Sequence, residues 1–500
     1  MPPPGFKAGP IFDNFFIEAA NCVDSASSGE LAVVILGTCV STETDRGQTS
    51  STSLDTDHNP LGEGPAEETP AQHLLRALLA STALFYDALD QYCGRHVIIF
   101  GPKDVPSVLG DATGMRTIFY AAEGGVVASH ARLVEETLGG EIKRVTLPYR
   151  YGFPGNHTPY VRTRLLTANT LYDFAKGKVV RFWPRGRIRE VAPQRAADIV
   201  CERVTTALKR IAAGRRVSLS ITADLDSRTM LALALQAGIP FDGYTYDRGD
   251  RTSVDCELAS ELARIAGIAH VVVPTPSVAP PDLKRVINRT TYYNHHHSVV
   301  QPMQDHFADT DALTVTANLL EIGRFFYKGQ WYADNLPDNP RSMTDMALAA
   351  IPNSARKASI LQELRSDRLM HEYFADFIRD SDFNAARGIL DPRDQFYWEH
   401  RMSAWHGMIL LERDFYADCF IPFNSRSIFE ALLGVSEPDR KSATAFRIII
   451  GRCAPQLLST IPINPARQSR EQRRPKHVSD VLNWLKVQAQ RAGNALRASN

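Results

Sequence analysis

No two cysteines in this 500-residue sequence stand in a CxxC spacing, and the seven present (Cys22, Cys39, Cys93, Cys201, Cys256, Cys419, Cys453) are odd in number and scattered. Neither a thiolate zinc site nor a disulfide framework is thereby suggested. The cysteines read as reduced core thiols. No apolar run approaches the roughly 18 residues of a membrane span, and the opening MPPPGFKAGPIFDNFF lacks a basic segment followed by an apolar one. The expectation is a soluble, cytoplasmic chain with no membrane partner. An excess of either charge is also missing, since 56 Lys plus Arg balance 56 Asp plus Glu. Bulk electrostatics thus draw the chain to neither nucleic acid nor an anionic surface, and charged ligands must be met locally.

What is present is a globular mixture, 44% hydrophobic and 22% charged, over a length that exceeds a single core, so two or three domains are expected. GELAVVILGTC, ending at Cys39, is a core-strand pattern. It runs into a polar stretch that has little to bury, which predicts a disordered loop near 41–70. Ala71 to Tyr92 has helical spacing, HVIIFG from His96 is a strand, and several short strands follow between turn residues. Clustered strands of this kind predict an antiparallel-sheet-rich first domain, 1–187. Beyond it the texture becomes helix, strand, helix: Ala196 to Ala213, RRVSLSIT, Ser227 to Ala237, FDGYTYD, Ser253 to Ile268 and HVVVPT. That alternation predicts a doubly wound parallel sheet, with a helical C-terminal part from about Pro281, over 188–465. Residues 466–500 form a basic tail, read as solvated in preference to a docking helix.

In a doubly wound sheet, ligands sit where the carboxyl end of a strand feeds a helix, and here that junction reads SLSITADLDSRT, Ser218 to Thr229. The segment resembles the pyrophosphate loop of the ATP-pyrophosphatase superfamily, Ser-Gly-Gly-x-Asp-Ser after an apolar strand. The resemblance implies that Ser220, Thr222, Ala223, Asp224, Leu225 and Ser227 are the nucleotide contacts, with hydroxyls and backbone N–H groups for phosphate oxygens, and that Asp226 offers a carboxylate to a cation. Both glycines are replaced, by Ala223 and Asp224. Two unit charges about 4 Å apart repel by roughly 4 kcal/mol at a surface-like dielectric, so Asp224 opposes phosphate unless a cation bridges it or its side chain turns away.

Later segments extend the resemblance to asparagine synthetases. Thr245 and Tyr246 lie on the strand that lines the adenine pocket in that family. VTANLLEIGRFFY, Val315 to Tyr327, matches in length a glycine-rich metal-binding segment, with Glu321 where the family has an aspartate, Asn318 for a glutamate, and Ala317, Leu319 and Leu320 in place of glycines. IPFNSRSIFEALLGV and, in the first domain, LGDATGMRTIFYAAEGG resemble further synthetase and amidotransferase segments. The resemblance implies ATP and Mg²⁺, the metal held by Asp226 and Glu321, with Arg324 beside the phosphates. The amidotransferase chemistry needs a cysteine directly after the initiator Met. Pro2 stands there, so the first domain is expected to be a relic without glutamine hydrolysis, as in β-lactam synthetases and lasso-peptide cyclases.

Other features have plainer readings. A polar helix face explains Asn294 to His297 better than a metal site, because adjacent histidines point apart. FYWEHRMSAWH, Phe396 to His406, places Tyr397, Glu399, His400 and Arg401 within reach of acid–base or carboxylate chemistry, yet aromatics at that spacing are more often core. Two functional expectations stand. One is an ATP-dependent, AMP-forming amide ligase that joins a small-molecule or peptide carboxylate to an amine or ammonia, the nitrogen arriving free, from a separate donor or from the substrate itself. A homodimer is compatible with it. The other is a catalytically degenerate homologue acting as a nucleotide- or partner-binding scaffold.

Overall fold

The computed structural model describes residues 7–9, 12, 17–19, 23–44, 68–149, 151–249, 253–292, 296–308, 310–351 and 355–459. Most of the expected loop near 41–70, residues 294 and 295, and the basic tail lie outside them. The fold is mixed α/β, with an antiparallel-sheet part, a parallel sheet and many helices, as the sequence pattern implies. The chain divides into two compact units. The first comprises Met1–Arg187, Gly329–Gly407 and Asn424–Ile428; the second comprises Ile188–Lys328, Met408–Phe423 and Phe429–Asn500.

The first unit is built on a six-stranded antiparallel sheet. Val23–Ser28, Leu31–Ser41, Tyr92–Pro102, Ser107–Gly110, Thr170–Asp173 and Lys178–Arg181 lie side by side in chain order. Leu31–Ser41 is buried on both faces through Ala32, Val33, Val34 and Ile35, which its unbroken apolar run requires. The helical spacing from Ala71 resolves into two helices, Pro70–Ala80 and Thr82–Leu89. Ser81 breaks the run because its backbone is extended, and its side chain accepts from Leu84 N to cap the second helix. Tyr397–His406 forms a π-helical turn whose Trp398 is fully buried and donates Nε1–H to the Ala112 carbonyl at 2.7 Å.

The second unit holds a five-stranded, wholly parallel sheet. In spatial order the strands are His270–Pro274, Phe241–Asp247, Val217–Ser220, Leu313–Val315 and Cys419–Phe420. The first strand of the sheet in sequence is therefore central. The chain winds outward from it on one side, then returns to its other flank at Leu313. Strand order reverses between Val217–Ser220 and Leu313–Val315, so the segments leaving their carboxyl ends diverge and open a crevice, the usual ligand position in such sheets. Helices Pro193–Ala212, Leu225–Ala237 and Thr444–Cys453 pack on one another, and ten residues of Leu225–Ala237 are buried, as its nearly uninterrupted apolar run demands.

Candidate active site

The crevice at the strand-order reversal is framed by two loops. The first, 221–224, leaves the central strand and enters helix Leu225–Ala237. Local hydrogen bonds to the start of that helix shape it. Thr222 N donates to Ser227 Oγ at 2.8 Å, and Ser227 Oγ donates to the Ser220 carbonyl at 3.3 Å. Ser227 N donates to Asp224 Oδ1 at 2.9 Å, so Asp224 is the N-cap of its own helix. The plain expectation for an aspartate at a strand-to-helix junction is thus met, and its carboxylate lies over helix N–H groups that a phosphate would need. Arg228, completely buried, clamps the loop from below by donating to the Ala223 and Leu457 carbonyls at 3.1 and 2.8 Å. Ala223 and Leu225 are buried and contribute packing.

The second loop follows Leu313–Val315 and carries a short 3-10 turn, Leu320–Arg324. Both residues that flank the turn are left-handed without being glycine: Leu319 at φ +82° and Phe325 at φ +56°. Such backbone costs about 1–3 kcal/mol per residue and persists only where its surroundings enforce it. Here Arg440, itself buried, donates to the Ile322 carbonyl at 3.0 Å, and its guanidinium lies 5.2 Å from the Phe325 ring centre. The backbone retains at Leu319 the conformation that a glycine would take freely.

These two loops bring together all three expected catalytic residues. Arg324 Nη2 donates to Asp226 Oδ2 at 2.8 Å and contacts Glu321 Oε1 at 3.3 Å. Arg324 and Asp226 side chains are 13% and 15% exposed, so water screens the pair weakly. Burial pushes the Asp226 carboxyl up, to about 8, against the pull of Arg324 and with a further push from Asp224 and Glu321. Its other oxygen, Oδ1, is buried without a hydrogen-bond partner. Magnesium does not fit the arrangement these side chains take. The Arg324 guanidinium stands where two carboxylates would share a cation, and a hard divalent ion needs several oxygens in near-octahedral array. Among the described residues no group of three or more His, Cys, Asp or Glu side chains is arranged to hold a metal.

The expected adenine neighbours sit on Phe241–Asp247. Thr245 is committed to the sheet: its hydroxyl bonds the Ile221 carbonyl at 2.7 Å and lies 2.9 Å from His270 Nε2. Tyr246 packs against the cluster of Tyr244, Val273, Val299, Met303, Phe307 and Ala312. Of the residues in the aromatic segment, Glu399 is fully buried in the first unit and bonds Arg181 through both oxygens at 2.6 and 2.8 Å, so its role there is structural. Sequence reading did not single out Arg228 or Arg440, whose carbonyl acceptors at Leu457 and Ile322 lie far off in sequence.

No protein-family model matches the chain, and no curated protein matches it. Solved structures align weakly. The glutamine-dependent NAD+ synthetase of Acinetobacter baumannii aligns at TM-score 0.21 and 11% identity over 45% of this chain and 50% of that one. The NMN synthetase of Francisella tularensis gives TM-score 0.22 and 10% identity over 45% and 94%. The glutamine phosphoribosylpyrophosphate amidotransferase of B. subtilis gives 0.18 and 10% over 60% and 58%. The chain thus spans half the length of the first of these. At such scores these likenesses assign neither a family nor an activity. Among the described residues no helix is long and apolar enough to cross a membrane.

Proposed function

We propose that the second unit belongs to the ATP-pyrophosphatase superfamily and serves an ATP-dependent, AMP-forming carbon–nitrogen ligase of asparagine-synthetase type. The observation that carries the reading is the Asp226–Arg324–Glu321 cluster, assembled from two loops at the strand-order reversal of the parallel sheet. In the proposed reaction a substrate carboxylate oxygen attacks the α-phosphorus of ATP, the bond to pyrophosphate breaks, and an acyl-adenylate forms. An amine or ammonia nitrogen then attacks the acyl carbon, loses a proton, and AMP leaves. Arg324, nearly buried, supplies the fixed positive charge for phosphate oxygens. Asp224 must swing off Ser227 N for a phosphate to reach the helix N-terminus.

That last requirement favours a second reading, a degenerate homologue that keeps the scaffold and binds a nucleotide or partner without turnover. The two separate in one assay: pyrophosphate release from ATP with ammonia and a panel of amino-acid and peptide carboxylates, run beside ATP calorimetry, with Asp226→Ala as control. Carboxylate-dependent release that vanishes in the variant supports the ligase. ATP binding without release leaves the scaffold, and no binding removes the nucleotide from both.

A further inference from the structure

Arg413, at the end of the helix Gly407–Arg413, belongs to the second unit and is 9% exposed. Its guanidinium forms no hydrogen bond and no ion pair among the described residues, and Nη1 is fully shielded from water. The neighbouring carboxylate, Glu412, turns instead to the backbone N–H of His296 at 2.7 Å. Around Arg413 stand Tyr416, Tyr244, Tyr246 and Cys419. Burial pushes the Tyr416 hydroxyl well above its ordinary value and that of Tyr244 up to about 12, so neither phenol supplies a counter-anion at neutral pH. The side chains packed beyond them are apolar and aromatic: Phe307 meets Tyr244 edge-on at 5.4 Å and faces Tyr416 at 6.5 Å between ring centres.

A guanidinium withdrawn from water without an acceptor among the described residues is costly, and a native structure that keeps one calls for a reason. We infer that Arg413 is the anchor of an anion subsite that accepts a single carboxylate group. One positive charge in a surround of phenols and hydrocarbon balances one negative charge. A phosphate dianion would leave a second charge buried and unpaired, whereas a carboxylate matches the planar fork of N–H donors with two oxygens. As a subsite for the acyl substrate, this inference rests on the proposed ligase; as a carboxylate site, it stands without it.

The experiment is therefore run without nucleotide. Thermal melts and calorimetry of the full chain with phenylacetate, acetate and inorganic phosphate are compared for wild type, Arg413→Met and Arg413→Gln. Phenylacetate is expected to raise the wild-type melting temperature saturably, and to bind either variant about 10- to 100-fold more weakly, the loss that follows from removing a charged hydrogen-bond partner. Without ligand, Arg413→Met is expected to melt no lower than wild type. Ligand-free melting well below wild type in both variants would make Arg413 a structural cation and overturn the inference. So would a wild-type melt indifferent to both carboxylates, or one moved by phosphate alone. Phenylacetate binding in a chain that fails to bind ATP would sink the nucleotide reading and leave this site standing.

Discussion

Two sets of buried charges, one from each unit, are treated in opposite ways. In the first, Glu399 is met by both arms of Arg181, by Asn169 and by Gln395, and Asp111 accepts from three backbone N–H groups and from Asn424. Even the left-handed residue Asn169, at φ +66°, uses both ends of its amide, donating to Glu399 and accepting from Arg426. In the second, Asp226 keeps a bare buried oxygen, Arg413 has no acceptor, and the left-handed positions fall on Leu319, Phe325 and Ala443. Satisfied networks stabilise a fold. Groups held short of satisfaction cost stability, and Asp226 stands at the strand-order reversal of a parallel sheet, where such sheets take ligands, which is why the function is sought there.

The largest test of this contrast is Glu399→Ala. It leaves Arg181, whose side chain is only 7% exposed, without its carboxylate, and is expected to cost about 3–5 kcal/mol in chemical denaturation. A cost below about 1 kcal/mol, no more than an exposed pair is worth, would erase the distinction from Arg413. Next comes pH. Burial depresses His400 to about 3 and His157 to about 4 in the first unit. Their neutral forms are favoured in the folded state, so this stability is complete above the ordinary value of 6.5 and is lost as pH falls toward 3–4. Asp226 is raised to about 8. Its contribution is complete below the ordinary 3.8 and is lost as pH rises through 8. Each unit of displacement is worth about 1.4 kcal/mol. Hydrogen exchange is expected to show the segment around His400 loosening on acidification and the helix start at Asp226 on alkalinisation, with His400→Gln flattening the former and Asp226→Asn the latter. Parallel pH profiles in these two segments would contradict it.

Much of this architecture is legible in the residues. The alternation after Arg187 gives the parallel sheet, and the Ala196, Ser227 and Ser253 segments become helices close to their expected bounds, because each carries its own apolar period and terminal residues. Asp226, Glu321 and Arg324 are legible as candidates because they follow strands, and loops after parallel strands converge. Their mutual pairing is not legible, since nothing in LEIGR shows that Arg324 turns toward a residue 98 positions earlier. Arg413 carries no local signal at all: LERDFY reads as an ordinary helix end, and only packing shows its guanidinium to be enclosed.

The exchange of metal for arginine is the next way to sharpen the contrast. With Arg324 removed, Asp226 and Glu321 lose the cation they share, and Arg324→Gln is expected to bind Mn²⁺ about tenfold more tightly than wild type by electron paramagnetic resonance. Tight Mn²⁺ binding by wild type, abolished in Asp226→Asn, would restore the divalent-ion expectation.

The smallest effect concerns backbone. Ala443, at φ +57°, joins helices Glu437–Ser442 and Thr444–Cys453 and is 6% exposed. Left-handed backbone costs an alanine roughly 1–2 kcal/mol that a glycine does not bear, while glycine loses more chain entropy on folding and gives up one buried methyl. The balance favours Ala443→Gly by about 0.5 kcal/mol. Leu319→Gly removes the same strain but also a side chain only 4% exposed, whose loss costs about 2–5 kcal/mol. Urea denaturation of the two variants should therefore give opposite signs. Stabilisation in both would mean that the Leu319 side chain packs for little and that the strained loop is a simple burden. Opposite signs would mean that the leucine fills the core beneath the loop while its backbone holds the turn carrying Glu321 and Arg324.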